Sequence, residues 1–490
     1  MNFRLIWILL LAMSLGYGQE IETSLTGLDD EIDRLMKQYK AVGLSVAVVK
    51  ENEIIFSKGF GYRNLDQKLP VSPKTIFPIG SVTKSFTGAV LGILEHSGQL
   101  SLKDKPSEHI PGLSFYNDKM NSSITIEDLL SHKSGIGDQG TTQIFFPDSS
   151  ILKTIKRLRY LKPQDEVKNS FAYSNMAYTL AGGIIEGVTG KSWEDNISTT
   201  IFQPLKMKNS FTSYEEMKET KNFSIGYGLY EDEIVEVPYE PMYSINPAGA
   251  IKSSTLDMCN WMMTWLNNGD FEGKEVLPQR YVKEATTLQN ISHGNYEKDA
   301  FLFGDGFGWR LRSSYGHYRV EHGGNSFGFS SELIMFPFEK IGIVVLTNQN
   351  LSLLPFVVAD TIVRRLFQIA TDIEYPVKVD EVYRPASKSK GLNEEEPPTH
   401  SLEDYEGIYY ANGYGKIEVI KTAGGLYANF PTYTFKLEHL NYNSFYLKGT
   451  SEFKEPYSPE FTVKFTVDTE ARIDALNIYS PKEPIEFVKK

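Results

Sequence analysis

Ser81-Val82-Thr83-Lys84 stands just after the short segment Thr75 to Ile79 and opens an apolar stretch, marked by Val82, Phe86 and Val90, that runs to about Gly98. The apolar spacing predicts a helix. Residues three apart on a helix lie one turn above each other, so the ammonium of Lys84 is within reach of the Ser81 hydroxyl. A serine hydroxyl alone is a weak nucleophile. A lysine buried beside it loses the solvation that stabilises its charge, its pKa falls, and it can take up the hydroxyl proton near neutral pH. Backbone N–H groups at the helix start favour an oxyanion developing there. The bare pattern Ser-x-x-Lys is common at surface helix starts, so its meaning rests on what accompanies it.

Two further elements follow in order. Tyr173-Ser174-Asn175 comes after Phe171-Ala172 and before an apolar run through Tyr178, Leu180, Ile184 and Ile185, and His322-Gly323-Gly324 comes immediately before the β-rich segments late in the chain. The three together resemble the motifs of the serine β-lactamase and penicillin-binding-protein family: Ser-x-x-Lys, the Tyr-x-Asn of its class C branch, and a strand motif usually written Lys-Thr-Gly. The His-Gly-Gly form is similar to that of β-lactamase-like esterases and D-aminopeptidases. Leu129 to Gly135, Pro204 to Met207, and Pro247 to Gly249 leading into Asp257 also look like this family, and the resemblance covers roughly Asp29 to Ile369.

The resemblance implies that Ser81 attacks an acyl carbon to form an acyl-enzyme and that Lys84 holds and relays its proton. Tyr173 would be the general base or the proton donor to the leaving group, and Asn175 would orient the substrate and Lys84. The backbone N–H groups of Ser81 and Asn325 would form the oxyanion hole, with His322, Gly323 and Gly324 lining the bound substrate. The departure lies at His322. A lysine there offers a fixed positive charge to a substrate carboxylate, whereas a histidine is only partly charged near neutral pH. His322 could polarise Tyr173, contact the substrate or make a structural hydrogen bond. The resulting expectation is hydrolysis of ester or amide substrates, D-amino-acid peptides among them. β-Lactamase or D-alanyl-D-alanine carboxypeptidase action is the alternative, as is a penicillin-binding sensor that acylates without turnover.

Other patterns compete. Gly324-Asn325-Ser326-Phe327-Gly328 matches the Gly-x-Ser-x-Gly elbow of α/β-hydrolases, but that elbow needs a helix after the serine and an acid and histidine downstream, and here a β-rich segment follows. His96, His109, His132, His293 and His317 show no paired helical spacing, so neither metal nor other cofactor is expected. The single cysteine, Cys259, cannot form an internal disulfide and lies among Met258, Trp261, Met262 and Trp265, as a buried structural thiol does.

Outward from the motifs, 490 residues argue for two folded units, with 41% apolar and 23% charged residues giving ordinary globular composition. A net charge of −12 repels a phosphate backbone, so nucleic acid is an unexpected partner and a small molecule or peptide is the expected one; the oligomeric state is not legible. Met1 to Gly18 carries Arg4, the apolar run Leu5 to Leu15 and small residues at Gly16 and Gly18. This is a secretory signal pattern, too short to span a bilayer, and it predicts a periplasmic or secreted protein with no transmembrane segment after cleavage.

Leu28, Ile32, Leu35, Met36 and Tyr39 recur at helical spacing, and Leu44 to Val49 and Glu53 to Phe56 read as a hairpin. Ser81 to Leu288 reads mostly as helices and loops. Strands return at Phe329 to Phe336 and Ile341 to Thr347, before a closing helix from Pro355 to Ile369. The fold class expected is α/β (α+β): a β-lactamase-like sandwich spanning 19–370, in which one antiparallel sheet has the terminal helices on one face and a helical subdomain on the other. A polar linker (371–401) then leads to a small all-β unit (402–490), a sheet or partial barrel with its alternation clearest at Phe461, Val463, Phe465 and Val467.

Overall fold

Val46 and Val48 face one side of their strand and Ala47 and Val49 the other, and all four are fully buried. A strand apolar on both faces must be covered on both. It lies in a nine-stranded antiparallel sheet whose order, from one edge, is 290–291, 303–305, 310–314, 317–326, 329–336, 341–347, 43–50, 53–64 and 69–70. The computed structural model describes residues 24–137, 145–230, 232–239, 243–291, 301–370, 375, 396–449, 462–479 and 484–490. The expected signal segment lies outside the described residues, as does most of the expected linker.

The two faces carry separate cores. Val46, Val48, Ile334, Phe336, Ile343 and Val345 pack with the helices Leu28–Tyr39 and Leu354–Leu366. Ala47, Val49, Leu333, Met335, Val344 and Leu346 pack beneath the helical insertion, which includes Thr83–His96, Asn175–Thr189 and Thr255–Leu266. Cys259 is buried in this second core. Among the described residues, no helix is long and apolar enough to cross a membrane.

Three local expectations are corrected. Ser81 sits in a 3-10 turn, Gly80–Val82, and the α-helix starts only at Thr83. His322-Gly323-Gly324 precedes the strands Phe329–Phe336 and Ile341–Thr347 as expected, but it lies on a further strand that the apolar pattern does not reveal, His317–Ser326, which pairs with Arg310–Ser314. Neither strand looks apolar, because Arg319 and Glu321 neutralise each other in the interior and Arg312 pairs with Glu321 at 3.1 Å. The insertion also contains small strand pairs, such as Gly226–Tyr230 with Glu233–Val237.

The C-terminal unit is a closed antiparallel barrel of eight strands running from Gly407–Ala411 to Pro484–Lys489. Closure leaves no free edge and turns Tyr409, Phe435, Phe445, Phe465 and Phe487 into a common interior.

Candidate active site

The turn that presents Ser81 is shaped by its neighbours. Gly80 has φ +52°, and a Cβ there would come within 2.6 Å of the Asn325 carbonyl oxygen and 2.7 Å of its nitrogen. Only glycine lets this turn lie so close against the strand. Gly324 seals the same junction from the strand side, since its Cβ would fall 2.0 Å from the Ile79 carbonyl oxygen. Ser331 Oγ donates to that oxygen at 2.9 Å. The first and third motifs are therefore locked together backbone to backbone.

Lys84 is wholly buried. Its Nζ donates to Ser81 Oγ at 3.1 Å, to Asn175 Oδ1 at 2.7 Å and to the Ala248 carbonyl at 2.9 Å. These acceptors match the three protons of an ammonium in number. The ammonium also lies 4.8 Å from the centre of the Tyr173 ring and 5.6 Å from that of Tyr178. Tyr173 Oη donates to Ser81 Oγ at 2.9 Å. Two donors from distant stretches of chain thus converge on one hydroxyl oxygen, and both favour negative charge on it.

Tyr173 is held by what surrounds it. Ser174 caps the helix Asn175–Thr189, accepting from the Ala177 N–H at 3.0 Å, and so fixes where Asn175 leaves the turn. His132, in left-handed backbone (φ +58°), accepts from the Ser174 N–H through Nδ1 at 3.2 Å, and its carbonyl accepts from the Ala172 N–H at 2.9 Å. Its ring lies 4.6 Å from that of Tyr173. Burial, then the charges of Lys84, His322 and Arg310, push its pKa well below the histidine range. A neutral His132 is what accepting the Ser174 N–H requires. Through these contacts His132 holds the segment that carries Tyr173.

His322 is buried and its Nδ1 lies 2.6 Å from the Gly323 carbonyl oxygen. Since a carbonyl only accepts, Nδ1 carries the hydrogen and Nε2 the lone pair. Burial, Arg310 and Lys84 together push its pKa down to about 3. It therefore supplies no positive charge at neutral pH. Gly323 lies opposite Glu332 and Asn325 opposite Ser330, whose Oγ donates to Asn325 Oδ1 at 2.8 Å.

A fixed cation is nevertheless present. Arg310, absent from the sequence-based set, opens the neighbouring strand opposite Glu321 and brings its guanidinium to 6.0 Å from the centre of the Tyr173 ring. Burial opposes its charge, but Tyr173, Asp305, Glu321 and Glu332 outweigh that and raise its pKa further. The rival serine, Ser326, ends the strand before a turn into Phe329–Phe336 and bonds to Tyr239. No helix follows it, so it lacks the elbow geometry.

The family model described as Beta-lactamase matches residues 28–366, and one described as a domain of unknown function, DUF3471, matches residues 393–489. Protein flp of Staphylococcus aureus (strain MW2) is 30% identical over 336 residues, 67% of this chain and 64% of its own length, so the match spans just under two thirds of that relative. Teichoic acid D-alanine hydrolase of S. aureus (strain MRSA252) is 32% identical over 197 residues, covering 40% of this chain and 47% of that one. Among solved structures, the octameric penicillin-binding protein homologue from Pyrococcus abyssi superposes with a TM-score of 0.66 at 24% identity, over 95% of this chain and 100% of the other. That likeness extends to the fold of both units.

Proposed function

Because the chain belongs to the Beta-lactamase family, we propose that it is an exported serine hydrolase acting on ester or amide substrates through an acyl-enzyme on Ser81. The observation that carries this reading is the pair of hydrogen bonds from Lys84 Nζ and Tyr173 Oη onto Ser81 Oγ. In the reacting form Tyr173 is a phenolate, its own proton released to solvent and its charge balanced by Lys84 and Arg310, and the Ser81 hydroxyl donates to it; in acylation Ser81 Oγ bonds to the carbonyl carbon as its proton passes to the Tyr173 oxygen. The carbonyl oxygen becomes an oxyanion facing the backbone N–H groups of Ser81 and Asn325. The tetrahedral intermediate collapses, the bond to the leaving group breaks, and Tyr173 returns the proton to the leaving atom. Water repeats the sequence on the acyl-enzyme and releases the acid with Ser81 restored.

Asn175 and His132 keep Lys84 and Tyr173 in register for both halves. His322, neutral, lines the cleft with a lone pair at Nε2, and Arg310 takes over the anion-binding part that a lysine in the third motif would have played. A second reading follows from Arg310: the leaving group carries a carboxylate, as in a peptide cut at its C-terminal end. The name of the teichoic acid D-alanine hydrolase supports hydrolysis as the reaction and a D-alanine group as one part of a substrate.

The test is direct. Purified protein should release p-nitrophenolate from an acyl ester with a burst of one equivalent and should be labelled by a fluorophosphonate, while Ser81→Ala does neither. Equal labelling of both proteins would remove Ser81 from the role.

A further inference from the structure

The barrel is fastened to the rest of the chain by a seam of aromatic rings. Phe145 lies 5.3 Å from Phe430 and 5.3 Å from Phe435, and Phe146 lies 5.5 Å from Phe430, 5.6 Å from Phe487 and 6.2 Å from Tyr414. Both phenylalanines are buried and stop one end of the barrel. Arg157 holds the turn that carries them, donating from Nη1 to the Phe146 carbonyl at 2.6 Å and pairing through Nε with Asp148 at 2.6 Å. Gly413 packs so closely on this stretch that a Cβ would come 2.8 Å from the Cβ of Tyr160. Ring pairs of this kind add about 0.5–1.5 kcal/mol each beyond their burial, so several together make a fixed junction.

These contacts all fall on the stretch between Gly135 and Tyr173 that delivers Tyr173 to the site. A further contact falls beside the third motif. The turn Phe430–Tyr433, closed by the Phe430 N–H donating to the Tyr433 carbonyl at 2.9 Å, brings Tyr433 to 6.5 Å from Phe327 and 6.2 Å from Phe145. Phe327 is two residues past Asn325, at the end of the strand that lies against Gly80. One turn of the barrel therefore lies against both the Phe145 segment and the residue that follows the third-motif strand.

Which part of a substrate would meet it follows from the chemistry. Tyr173 returns the proton to the leaving group, so the leaving group lies on the Tyr173 and Arg310 side of the carbonyl carbon. The acyl substituent extends the other way, along the strand past Asn325 toward Phe327. We propose that the barrel turn, through Tyr433 against Phe327, forms the outer wall of the acyl pocket and makes the barrel a fixed determinant of acyl size. This rests on the acyl-enzyme reading above. It gives the C-terminal unit a specificity role with no chemistry of its own.

The experiment compares kcat/KM for p-nitrophenyl acetate and p-nitrophenyl octanoate. One methylene more or fewer in an apolar pocket changes discrimination by roughly 10–200-fold, and removing a ring frees more space than that. The octanoate-to-acetate ratio should rise at least about tenfold in Tyr433→Ala and fall in Tyr433→Trp, which keeps a ring on Phe327 and guards against a folding defect. An unchanged ratio in both variants, with melting temperatures near the parent's, overturns the barrel's role and leaves the acyl-enzyme intact. Failure of the parent protein to hydrolyse either ester in a Ser81-dependent way overturns the acyl-enzyme reading, and this inference with it.

Discussion

Tyr173→Phe removes one oxygen and little else. The ring keeps its packing 4.6 Å from His132 and its place 4.8 Å from the Lys84 ammonium, while the 2.9 Å hydrogen bond to Ser81 Oγ is lost. A net hydrogen bond is worth about 0.5–1.5 kcal/mol to stability. For a fold of this size that is a shift in Tm of a few degrees at most, since 1 kcal/mol moves even a 150–250-residue domain by only about 2–4 °C. A positioned proton-transfer group is worth about 10²–10⁴ in rate, or roughly 2.7–5.5 kcal/mol of barrier at about 1.36 kcal/mol per decade. The two effects differ enough to separate. Stopped-flow release of p-nitrophenolate should show both burst and steady-state rates reduced at least a hundredfold, because the same oxygen serves acylation and deacylation, and calorimetry should show the small thermal shift. A variant within threefold of the parent on the same ester would refute the reasoning and transfer the proton to Lys84.

Arg310→Ala should raise KM for substrates whose leaving group carries a carboxylate by about ten- to a hundredfold, the worth of a hydrogen bond to a charged group, and should change neutral esters far less; equal effects on both would deny it an anion-binding part. His322, with its pKa at about 3, stays neutral through neutral pH, so its ring resonances should not titrate between pH 5 and 8 and should report the Nδ1–H form. The unfolded chain protonates His322 near pH 6.5. The native form therefore loses stability as pH falls from about 6.5 toward 3, by up to about 1.4 kcal/mol per pH unit. Burial raises Asp305 to about 7, and burial with the Glu321 charge raises Glu332 to about 8, so these two act in the opposite sense. The measurement is accordingly the difference in urea midpoint between the parent and His322→Gln, which should move against the parent on acidification; a constant difference would place His322 in water. Gly324→Ala, with its Cβ 2.0 Å from the Ile79 carbonyl oxygen, should push the strand off the Ser81 turn and cost at least a hundredfold in kcat/KM, and near-parental activity would mean that the junction yields.

What the sequence reveals follows where burial and apolarity coincide. Leu28 to Tyr39 and Ile341 to Thr347 match their predicted spans because what they bury is almost wholly apolar. The strands 310–314 and 317–326 escape notice because part of what they bury is Arg319 paired with Glu321, and a compensated charge pair carries no apolar period. Ser81, Lys84, Tyr173 and Asn175 are legible for a different reason: each motif is a short local pattern, and the structure brings all four together.

Arg310 belongs to no local pattern, yet its place could have been counted out from a turn. Tyr315-Gly316 both adopt left-handed backbone, φ +53° and +81°, the geometry of a two-residue hairpin turn with a small flexible residue second. Such a turn fixes the register of everything it joins, because pairing Ser314 with His317 leaves no freedom to slip. Stepping outward from that pair, Ser313 meets Tyr318, Arg312 meets Arg319, Leu311 meets Val320 and Arg310 meets Glu321. The residue after Glu321 is His322. A tight turn twelve residues long in its consequences thus sets an arginine beside the motif that lacks its lysine, and it is the hairpin register, read with the charge missing from His322, that singles out the cation proposed for the cleft.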